Sequence, residues 1–391
     1  MRYTLTFDAF LVAACLGLSA PASVWGIPFS RGHELPATHI DSREASHHSA
    51  NVSPQVASPF TLPLTPIDDD LDMGYTALVK VGTNPTPYTV LMDCGSSEFW
   101  LVSETCPQRG RRVPIGFSTS QTFQSLGDKW KARYADGAVV TGSFATDDVA
   151  IDGRILSELP FGTGNTLKGT LTTDTYDGIM GFGFTESSKT GAPTILDALA
   201  TTKKIPRAIS GWKLSRNADG RNDGEIMFGG ENDAVFFQDK QVVVQNLSGE
   251  SNKNWKFNID GISMDGFQII PARVGIVDTG TSVLYVHPRD ALAVNNEIPG
   301  VVELRDGTYA IPCVSQSKLS ITINGRQFDI DPRDIVANPV STKATTDICY
   351  SNIVPDPMRQ PGEWLIGIPF LKNVYLTLDV TGNQIGFAKL R

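Results

Sequence analysis

Two short Asp-x-Gly motifs are the residues of this sequence whose types and spacing indicate chemistry. The first motif covers residues 93–97 and reads Asp-Cys-Gly-Ser-Ser; the second covers residues 278–282 and reads Asp-Thr-Gly-Thr-Ser. Glycine lets the backbone turn tightly after each aspartate, and the hydroxyl that follows can donate a hydrogen bond to the carboxylate. A single motif of this kind is typical of a turn. Two copies in one chain indicate a pair of presented carboxylates.

An internal repeat surrounds these motifs. Each follows a short apolar run, and each is followed by an apolar-apolar-Gly element. Gly181 lies 88 residues after Asp93, and Gly367 lies 89 residues after Asp278. Two copies of one layout predict two similar lobes related by an approximate two-fold axis. The two carboxylates are therefore predicted to meet at that axis.

Two carboxyl groups held close together favour one kind of chemistry. Both cannot ionise easily, so they share a proton and titrate as a unit. One carboxylate can then deprotonate a water molecule while the other carboxyl polarises the carbonyl that the water attacks. This general acid–base hydrolysis needs no histidine, metal ion or cofactor.

Composition excludes several other functional classes. The 391 residues are 41% hydrophobic and 19% charged, which is not the composition of a disordered chain. The formal net charge of −9 argues against binding to nucleic acid or to an anionic membrane surface. Four of the five histidines lie within the first 48 residues, in a segment expected to be removed. One histidine remains, which disfavours Ser-His-Asp catalysis and zinc sites.

The elements that must position the two aspartates are predominantly β-strands. From Gly74 onward the sequence consists of short segments rich in Val, Ile, Thr and aromatic residues, separated by Gly, Asp, Asn and Pro. Helical patterns occur only at residues 194–201, 288–296 and 332–336. The sequence therefore predicts an all-β protein.

The N-terminal residues predict processing and export. Residues 1–22 have the charge, apolar run and small residues of a signal peptide, and residues 23–66, rich in Ser, Pro, Ala and His, are predicted to be a propeptide with an approximate end. Residues 67–205 and 206–391 are then the two β lobes. The predicted location is secreted and extracellular, with the vacuole as the alternative. No other segment has the apolar length of a membrane anchor.

Together these motifs resemble the pepsin family of aspartic endopeptidases, and fungal secreted members in particular. Three further segments carry the resemblance: residues 134–137 (Tyr-Ala-Asp-Gly), 177–183 (DGIMGFG) and 364–379 (WLIGIPFLKNVYLTLD). It extends from about Asp72 to Arg391. The resemblance implies a bilobal pepsin-like fold, with the active-site cleft between two pseudo-symmetric β lobes. It also implies hydrolysis of peptide bonds at acidic pH, beside bulky apolar residues, by a monomer that binds polypeptide substrates and pepstatin-like inhibitors.

The resemblance assigns roles to individual residues. Asp93 and Asp278 are the catalytic dyad. The residues that support the dyad are Cys94, Gly95, Ser96, Thr279, Gly280 and Thr281. The flap and substrate-binding residues are Trp100, Tyr134, Asp136, Ile179 and Ile276, with Trp100 as the hydrogen-bonding partner of the flap residue Tyr134. Asp136 resembles the flap-tip residue of fungal members that accept a basic side chain before the scissile bond. Cys313 and Cys349 form the family's C-terminal disulfide, and Asn246 begins a glycosylation sequon.

Three positions depart from the family pattern. Cys94 stands where the family has Thr or Ser, Cys106 lacks its usual disulfide partner, and Ile368 replaces an aspartate found in many members. A thiol is a weaker hydrogen-bond donor than a hydroxyl, so we expect a softer dyad. These departures motivate the alternative function: a catalytically impaired pepsin-like protein that binds peptides or proteins.

Overall fold

The structure is a computed structural model that describes residues 57–67, 72–189, 191–249, 253–340 and 347–391. The predicted signal peptide and residues 23–56 of the predicted propeptide lie outside these ranges.

Strands account for most of the secondary structure. In the first half of the chain they are β1 (Phe60–Ile67), β2 (Gly74–Val81), β3 (Tyr88–Asp93), β4 (Phe99–Val102), β5 (Gln124–Arg133), β6 (Val139–Ile151), β7 (Arg154–Lys168), β8 (Gly178–Gly181), β9 (Ile209–Lys213), β10 (Gly224–Phe228) and β11 (Val242–Gln245). In the second half they are β12 (Lys256–Ile259), β13 (Gly261–Met264), β14 (Phe267–Ile270), β15 (Arg273–Val277), β16 (Leu284–Val286), β17 (Val302–Glu303), β18 (Tyr309–Pro312), β19 (Leu319–Ile323), β20 (Arg326–Asp329), β21 (Val336–Pro339), β22 (Ile348–Ser351), β23 (Ile353–Pro355), β24 (Glu363–Ile366), β25 (Val374–Asp379) and β26 (Gln384–Lys389).

The strands form four sheets within the described residues. The largest has 13 strands in the order β11-β26-β25-β9-β10-β1-β2-β3-β8-β4-β7-β6-β5, so it joins strands from both halves of the chain. A five-stranded sheet has the order β12-β15-β24-β16-β23, and the two four-stranded sheets have the orders β14-β13-β19-β20 and β17-β18-β22-β21. The boundary between lobes at residues 205 and 206 stays a prediction, because contacts group the described residues into one unit.

The internal repeat appears as the same strand pairing in two sheets. β3, which ends at the first motif, runs parallel to β8, and β4 pairs antiparallel with β8. β15, which leads into the second motif, runs parallel to β24, and β16 pairs antiparallel with β24. In both copies the backbone of the motif loop passes so close to the glycine at or just after the end of the paired strand that no side chain fits there. A Cβ at Gly181 would lie 2.7 Å from the Ser96 carbonyl oxygen, and one at Gly367 would lie 2.3 Å from the Thr281 carbonyl oxygen.

Helices are short, as the sequence analysis predicted. They are α1 (Ile195–Thr201), α2 (Pro288–Asn295) and α3 (Ile368–Leu371). Thr194 caps α1, because its hydroxyl accepts a hydrogen bond from the Asp197 amide. The predicted helices at residues 194–201 and 288–296 are thus confirmed, whereas Pro332–Ile335 forms a single 3₁₀ turn. The four-residue α3 was not predicted, since it is too short to show a helical period.

A buried ion cluster fastens α3 to both halves of the chain. The Lys372 ammonium, which follows α3, lies 3.1 Å from Asp72 Oδ2 and 2.8 Å from Asp334 Oδ1. Arg216 Nη2 lies 2.5 Å from Asp334 Oδ2. Lys372, Asp72 and Asp334 are buried, so removing one partner would leave an uncompensated buried charge. The cluster therefore holds the start of β2 against the segment that follows the second motif.

The cysteines pair as the resemblance implies. Cys313 and Cys349 form a disulfide with a Cα–Cα distance of 4.9 Å, which confirms that pairing. Cys94 and Cys106 are free and buried.

β1 lies in the segment that the sequence analysis assigned to the end of the propeptide. It pairs with β10 from Phe60 to Leu64 and with β2 from Thr65 to Ile67. Phe60, Leu62 and Leu64 alternate into the core, and the Phe60 ring stacks on Phe228 with centroids 4.8 Å apart. Burying each such side chain contributes about 1.5–3 kcal/mol. The structure thus argues for an earlier propeptide end than residue 66.

We expect the mature protein to retain β1, with its N-terminus before Phe60. A cut at residue 66 would remove a central strand and expose the edges of β2 and β10. N-terminal sequencing of the purified mature protein measures the cut directly. A mature N-terminus beyond Ile67 would contradict this expectation.

Candidate active site

The two aspartates of the motifs meet in the interior. Asp93 is the last residue of β3, and Asp278 follows β15 directly. Their carboxyl groups hydrogen bond to each other, and both residues are 0% exposed. A Cβ at Gly95 would lie 2.4 Å from Asp278 Oδ1, so only glycine allows the first loop to approach the second carboxyl this closely. The structure therefore brings together the two residues that the sequence predicted as a dyad.

Each carboxyl group is held by the same pair of donors from its own loop. For Asp93, the Gly95 amide donates to Oδ1 over 2.8 Å and the Ser96 hydroxyl donates to Oδ2 over 2.5 Å. For Asp278, the Gly280 amide donates to Oδ1 over 2.8 Å and the Thr281 hydroxyl donates to Oδ2 over 2.7 Å. These four donors fix the carboxyl planes and favour the ionised form of a buried acid.

Burial and mutual repulsion set the ionisation of the pair. Burial raises the pKa of Asp93, against the lowering effect of its hydrogen bonds from Ser96 and Gly95. Burial, and then the charge of Asp93, raises the pKa of Asp278 well above its ordinary value. Because the two negative carboxylates repel each other, the pair binds one proton over a wide pH range. The site therefore holds one proton acceptor and one proton donor at the same time.

The two loops are locked together by backbone hydrogen bonds across the pseudo-two-fold axis. The Cys94 amide donates to Thr279 Oγ1 over 2.9 Å, and the Thr279 hydroxyl donates to the Met92 carbonyl oxygen over 2.9 Å. In return, the Thr279 amide donates to Cys94 Sγ over 3.2 Å. Among the described residues the Cys94 thiol donates no hydrogen bond. This lock, the set of hydrogen bonds between the two loops, is therefore asymmetric: the Thr279 hydroxyl both donates and accepts, whereas the Cys94 thiol only accepts.

The Cys94 thiol is not poised for chemistry of its own. Burial, followed by the charge of Asp278, raises its pKa well above the ordinary value. The group is therefore a neutral thiol rather than the reactive thiolate.

A hairpin closes over the dyad. β5 and β6 meet at the flap tip, residues 134–138, where the Tyr134 amide donates to the Ala138 carbonyl oxygen. The Trp100 indole N–H donates to the Tyr134 hydroxyl over 2.7 Å, which is the partnership that the resemblance implied. Ala135 packs against Ile276, Tyr285 and Leu365 from the other half of the chain. The flap thus spans the site and excludes solvent from the carboxyl groups.

The predicted substrate-lining residues lie on opposite sides of the dyad. Ile179 packs with Tyr134, Tyr176 and Leu171 under the flap. Ile276, two residues before Asp278, packs on the far side. Both isoleucines are buried, so each half of the chain places an apolar cluster near its aspartate.

Asp136 at the flap tip is already engaged. Its Oδ2 accepts from the Thr170 hydroxyl over 2.5 Å, and its Oδ1 accepts from the Ala138 amide over 2.8 Å. A second carboxyl group, Asp174, is bound by the Tyr176 hydroxyl at 2.7 Å, and burial raises its pKa to about 6. A basic substrate side chain near Asp136 would compete for this carboxylate with the Thr170 hydroxyl and the Ala138 amide.

Sequence reasoning missed Glu98. This residue follows the first motif and is 3% exposed, and its Oε1 accepts from the Lys189 amide over 2.6 Å. Burial raises the pKa of Glu98 itself, and its charge contributes to the raised pKa of Asp93. The sequence signal that could have identified Glu98 is an acidic residue immediately before the apolar segment FWLV. Ile368, which replaces an aspartate found in many family members, is buried.

Asn246 is buried and hydrogen-bonded, unlike the asparagine of an exposed glycosylation sequon. It is 6% exposed; its amide nitrogen donates to Asn383 Oδ1 over 3.1 Å, and its Oδ1 accepts from the Lys256 amide. This geometry does not favour the predicted glycosylation, which stays a prediction.

Two buried carboxyl groups contact each other here, and each lies at the end of an equivalent strand pair. One hairpin covers both of them. This arrangement defines the aspartic protease class. The family described as eukaryotic aspartyl protease matches residues 74–390. The chain therefore belongs to this family, and its all-β, bilobal pepsin-like fold is confirmed.

Fungal relatives agree with this assignment. The chain is 32% identical over 343 residues to the probable aspartic-type endopeptidase CTSD of Arthroderma benhamiae, covering 86% of this chain and 65% of the relative. It is 31% identical over 327 residues to the aspartic-type endopeptidase ctsD of Aspergillus fumigatus, covering 82% of this chain and 66% of the relative. Rhizopuspepsin of Rhizopus chinensis is 28% identical over 324 residues, covering 82% and 78%. The chain thus spans slightly less than two thirds of the length of the first two relatives.

We expect Cys94→Thr to stabilise the enzyme by about 1 kcal/mol, the typical net contribution of one hydrogen bond. The new hydroxyl would donate a second hydrogen bond between the two loops, equivalent to the one that the Thr279 hydroxyl donates. Urea unfolding of the pepstatin-free protein measures the change. Cys106→Ser, at the other buried free cysteine, is the matched control. A Cys94→Thr protein less stable than the wild type would contradict the proposed asymmetry of the lock.

We expect Glu98→Gln to move only the alkaline limb of the pH–activity profile, downward by roughly half a pH unit. An ionised Glu98 raises the pKa of Asp93, so removing its charge makes the dyad lose its shared proton at lower pH. At more acidic pH Glu98 is protonated and exerts no charge, so the acidic limb should stay in place. Profiles of kcat/KM against pH test this, with the exposed Glu303→Gln as control. An unchanged alkaline limb would contradict the coupling.

Proposed function

We propose that this protein is a secreted aspartic endopeptidase that hydrolyses peptide bonds at acidic pH. One observation carries the proposal: the Asp93 and Asp278 carboxyl groups contact each other while each is held by two donors of its own loop. Family membership and the names of the fungal relatives support it.

The geometry supports a mechanism without a covalent intermediate. A water molecule between the two carboxyl groups loses its proton to the ionised aspartate as its oxygen attacks the peptide carbonyl carbon. The protonated aspartate donates its proton to the carbonyl oxygen, giving a neutral tetrahedral intermediate. Collapse of the intermediate breaks the C–N bond: the leaving nitrogen receives the proton that the first aspartate had accepted, and one hydroxyl of the intermediate returns its proton to the second aspartate, which restores the dyad. Because the pair shares one proton, acid and base roles belong to the dyad as a unit.

The pH dependence follows from the same pair. As pH falls below the lower apparent pKa, the base becomes protonated and activity is lost. As pH rises above the upper apparent pKa, the acid loses its proton and activity is lost again. The charge of Glu98 raises the upper limit.

The closed flap requires movement during each cycle. With Tyr134 buried and Ala135 packed on the opposite side, a polypeptide enters only after the hairpin opens. Reclosure excludes water from the dyad and orders an extended substrate beneath the flap.

The apolar walls around Ile179 and Ile276 support a preference for bulky apolar residues at the cut. Asp136 supports acceptance of a basic side chain on the flap side. Pepstatin-like inhibition and a monomeric state are proposed from the family. No helix among the described residues is long and apolar enough to span a membrane, and secretion, with the vacuole as the alternative, rests on the predicted signal peptide.

The alternative is a catalytically impaired binder, which Cys94 and Ile368 motivate. The equivalent pair of donors on each carboxyl group favours catalysis instead, because a binder needs no proton shared between two fixed acids.

We expect Asp93→Asn and Asp278→Asn each to reduce hydrolysis at least about 10³-fold, because an amide can neither accept nor share the proton. Denatured globin, assayed from pH 2.5 to 7 with and without pepstatin, measures activity. Asp233→Asn, at an exposed aspartate, is the matched control. A folded, processed wild-type protein that binds immobilised pepstatin without turnover would overturn the proposed function and establish the binder.

A further inference from the structure

The flap tip is also tied to its own half of the chain by a hydrogen bond that the resemblance did not imply. The Thr170 hydroxyl donates to Asp136 Oδ2 over 2.5 Å. Thr170 lies in the 3₁₀ turn Gly169–Thr172, which follows β7, whereas Asp136 lies at the tip of the hairpin that β5 and β6 form. Both residues are half-buried, and partial burial strengthens a hydrogen bond by shielding it from water.

The same carboxylate also shapes the flap tip. Asp136 Oδ1 accepts from the Ala138 amide over 2.8 Å, and the Gly137 amide donates to the Tyr134 carbonyl oxygen over 2.9 Å. Gly137 has a positive φ of 85°, a backbone conformation that favours glycine. One oxygen of Asp136 thus holds the turn while the other accepts from Thr170. The Thr170 hydrogen bond therefore acts on the tip as a whole.

The turn that carries Thr170 is fixed to the body of the protein. Leu171 is buried, and its carbonyl oxygen accepts from Arg112 Nη1 over 2.9 Å. Arg112 is buried as well, and its Nε and Nη2 donate to the carbonyl oxygens of Arg109 and Gln108. Hydrogen bonds from a charged guanidinium are among the stronger ones. The Thr170 hydroxyl is therefore held in place when the flap moves.

We propose that Thr170 is a positioning residue that latches the flap over the dyad by holding Asp136. The inference rests on the proposed endopeptidase function, in which the flap opens and closes in each cycle. Opening separates Ala135 from the other half of the chain. It also breaks the bond between Thr170 and Asp136, because the turn stays anchored while the tip moves. The Thr170 hydroxyl thus stabilises the closed flap relative to the open flap.

This latch has a kinetic signature. Thr170 contacts the flap and not the dyad, so its bond to Asp136 forms both when the cleft is empty and when a peptide inhibitor fills it. A contact that stabilises the closed flap equally in these two states does not change the equilibrium affinity for the inhibitor. It slows entry and release of the inhibitor by the same factor, because both steps pass through the open flap.

Thr170→Val removes the hydroxyl and keeps the branched shape of the side chain. On immobilised pepstatin, surface plasmon resonance should show association and dissociation rate constants that both rise about tenfold, as expected for the loss of one hydrogen bond to a charged group. The Kd should stay within about twofold of the wild-type value. Hydrogen–deuterium exchange of residues 134–138 should be faster. Thr170→Ser keeps a hydroxyl and should retain the wild-type rates.

The matched control is Thr172→Val. The Thr172 hydroxyl lies on the same turn but donates to the Gly169 carbonyl oxygen, so its loss should leave both rate constants and the flap exchange unchanged. A double-mutant cycle tests the partner: Thr170→Val should have no further effect in an Asp136→Ala background. If Thr170→Val fails to fold, Asp136→Asn weakens the same bond by removing the acceptor's charge and should raise both rate constants.

The outcomes separate the latch from the enzyme itself. Rate constants that are unchanged in Thr170→Val, or equally changed in Thr172→Val, would overturn the latch and leave the proposed function standing. A raised Kd with an unchanged association rate would overturn it too, because the bond would then form only around a bound inhibitor. A folded wild-type protein that neither binds pepstatin nor cleaves globin would overturn the proposed function. Flap exchange in Thr170→Val against Thr172→Val would then decide the latch alone.

Discussion

The contact between two buried carboxyl groups is the interaction on which the rest of this structure depends. Asp93 and Asp278 come from positions 185 residues apart, and neither is exposed. Two such acids repel each other when ionised and are poorly solvated when buried. Their contact is tolerable only because four loop donors hold them and one shared proton removes half of the charge. The fold supplies those donors twice, from two copies of one loop.

The scaffold keeps this contact in register by repeating one strand arrangement. In each copy the strand that ends at or just before the aspartate runs parallel to the strand that ends at or just before the glycine. The close passage at Gly181 and Gly367 admits no side chain. The cross-axis hydrogen bonds of Thr279 then join the copies directly. A rigid frame of this kind is what a proton-sharing pair needs, since a shift of about an ångström would separate the acids.

The surroundings of the dyad are less symmetric than the dyad itself. Cys94 weakens one arm of the lock, Glu98 places a buried acid beside Asp93, and Ile368 leaves the region beside Asp278 apolar. The repeated core thus fixes the dyad, while unrepeated residues around it tune its acidity.

The sequence by itself determined the β class, the two helices at residues 194–201 and 288–296, the repeat and the candidate dyad, because strand composition, capping residues and short motifs are local signals. It could not decide that β1 belongs to the central sheet, since a short apolar segment after a polar one has no local mark of its partners. Nor could it reveal Glu98 as a neighbour of Asp93. Burial, hydrogen-bond satisfaction and charge proximity are properties of three-dimensional packing, and residues far apart in the chain create them only when it folds.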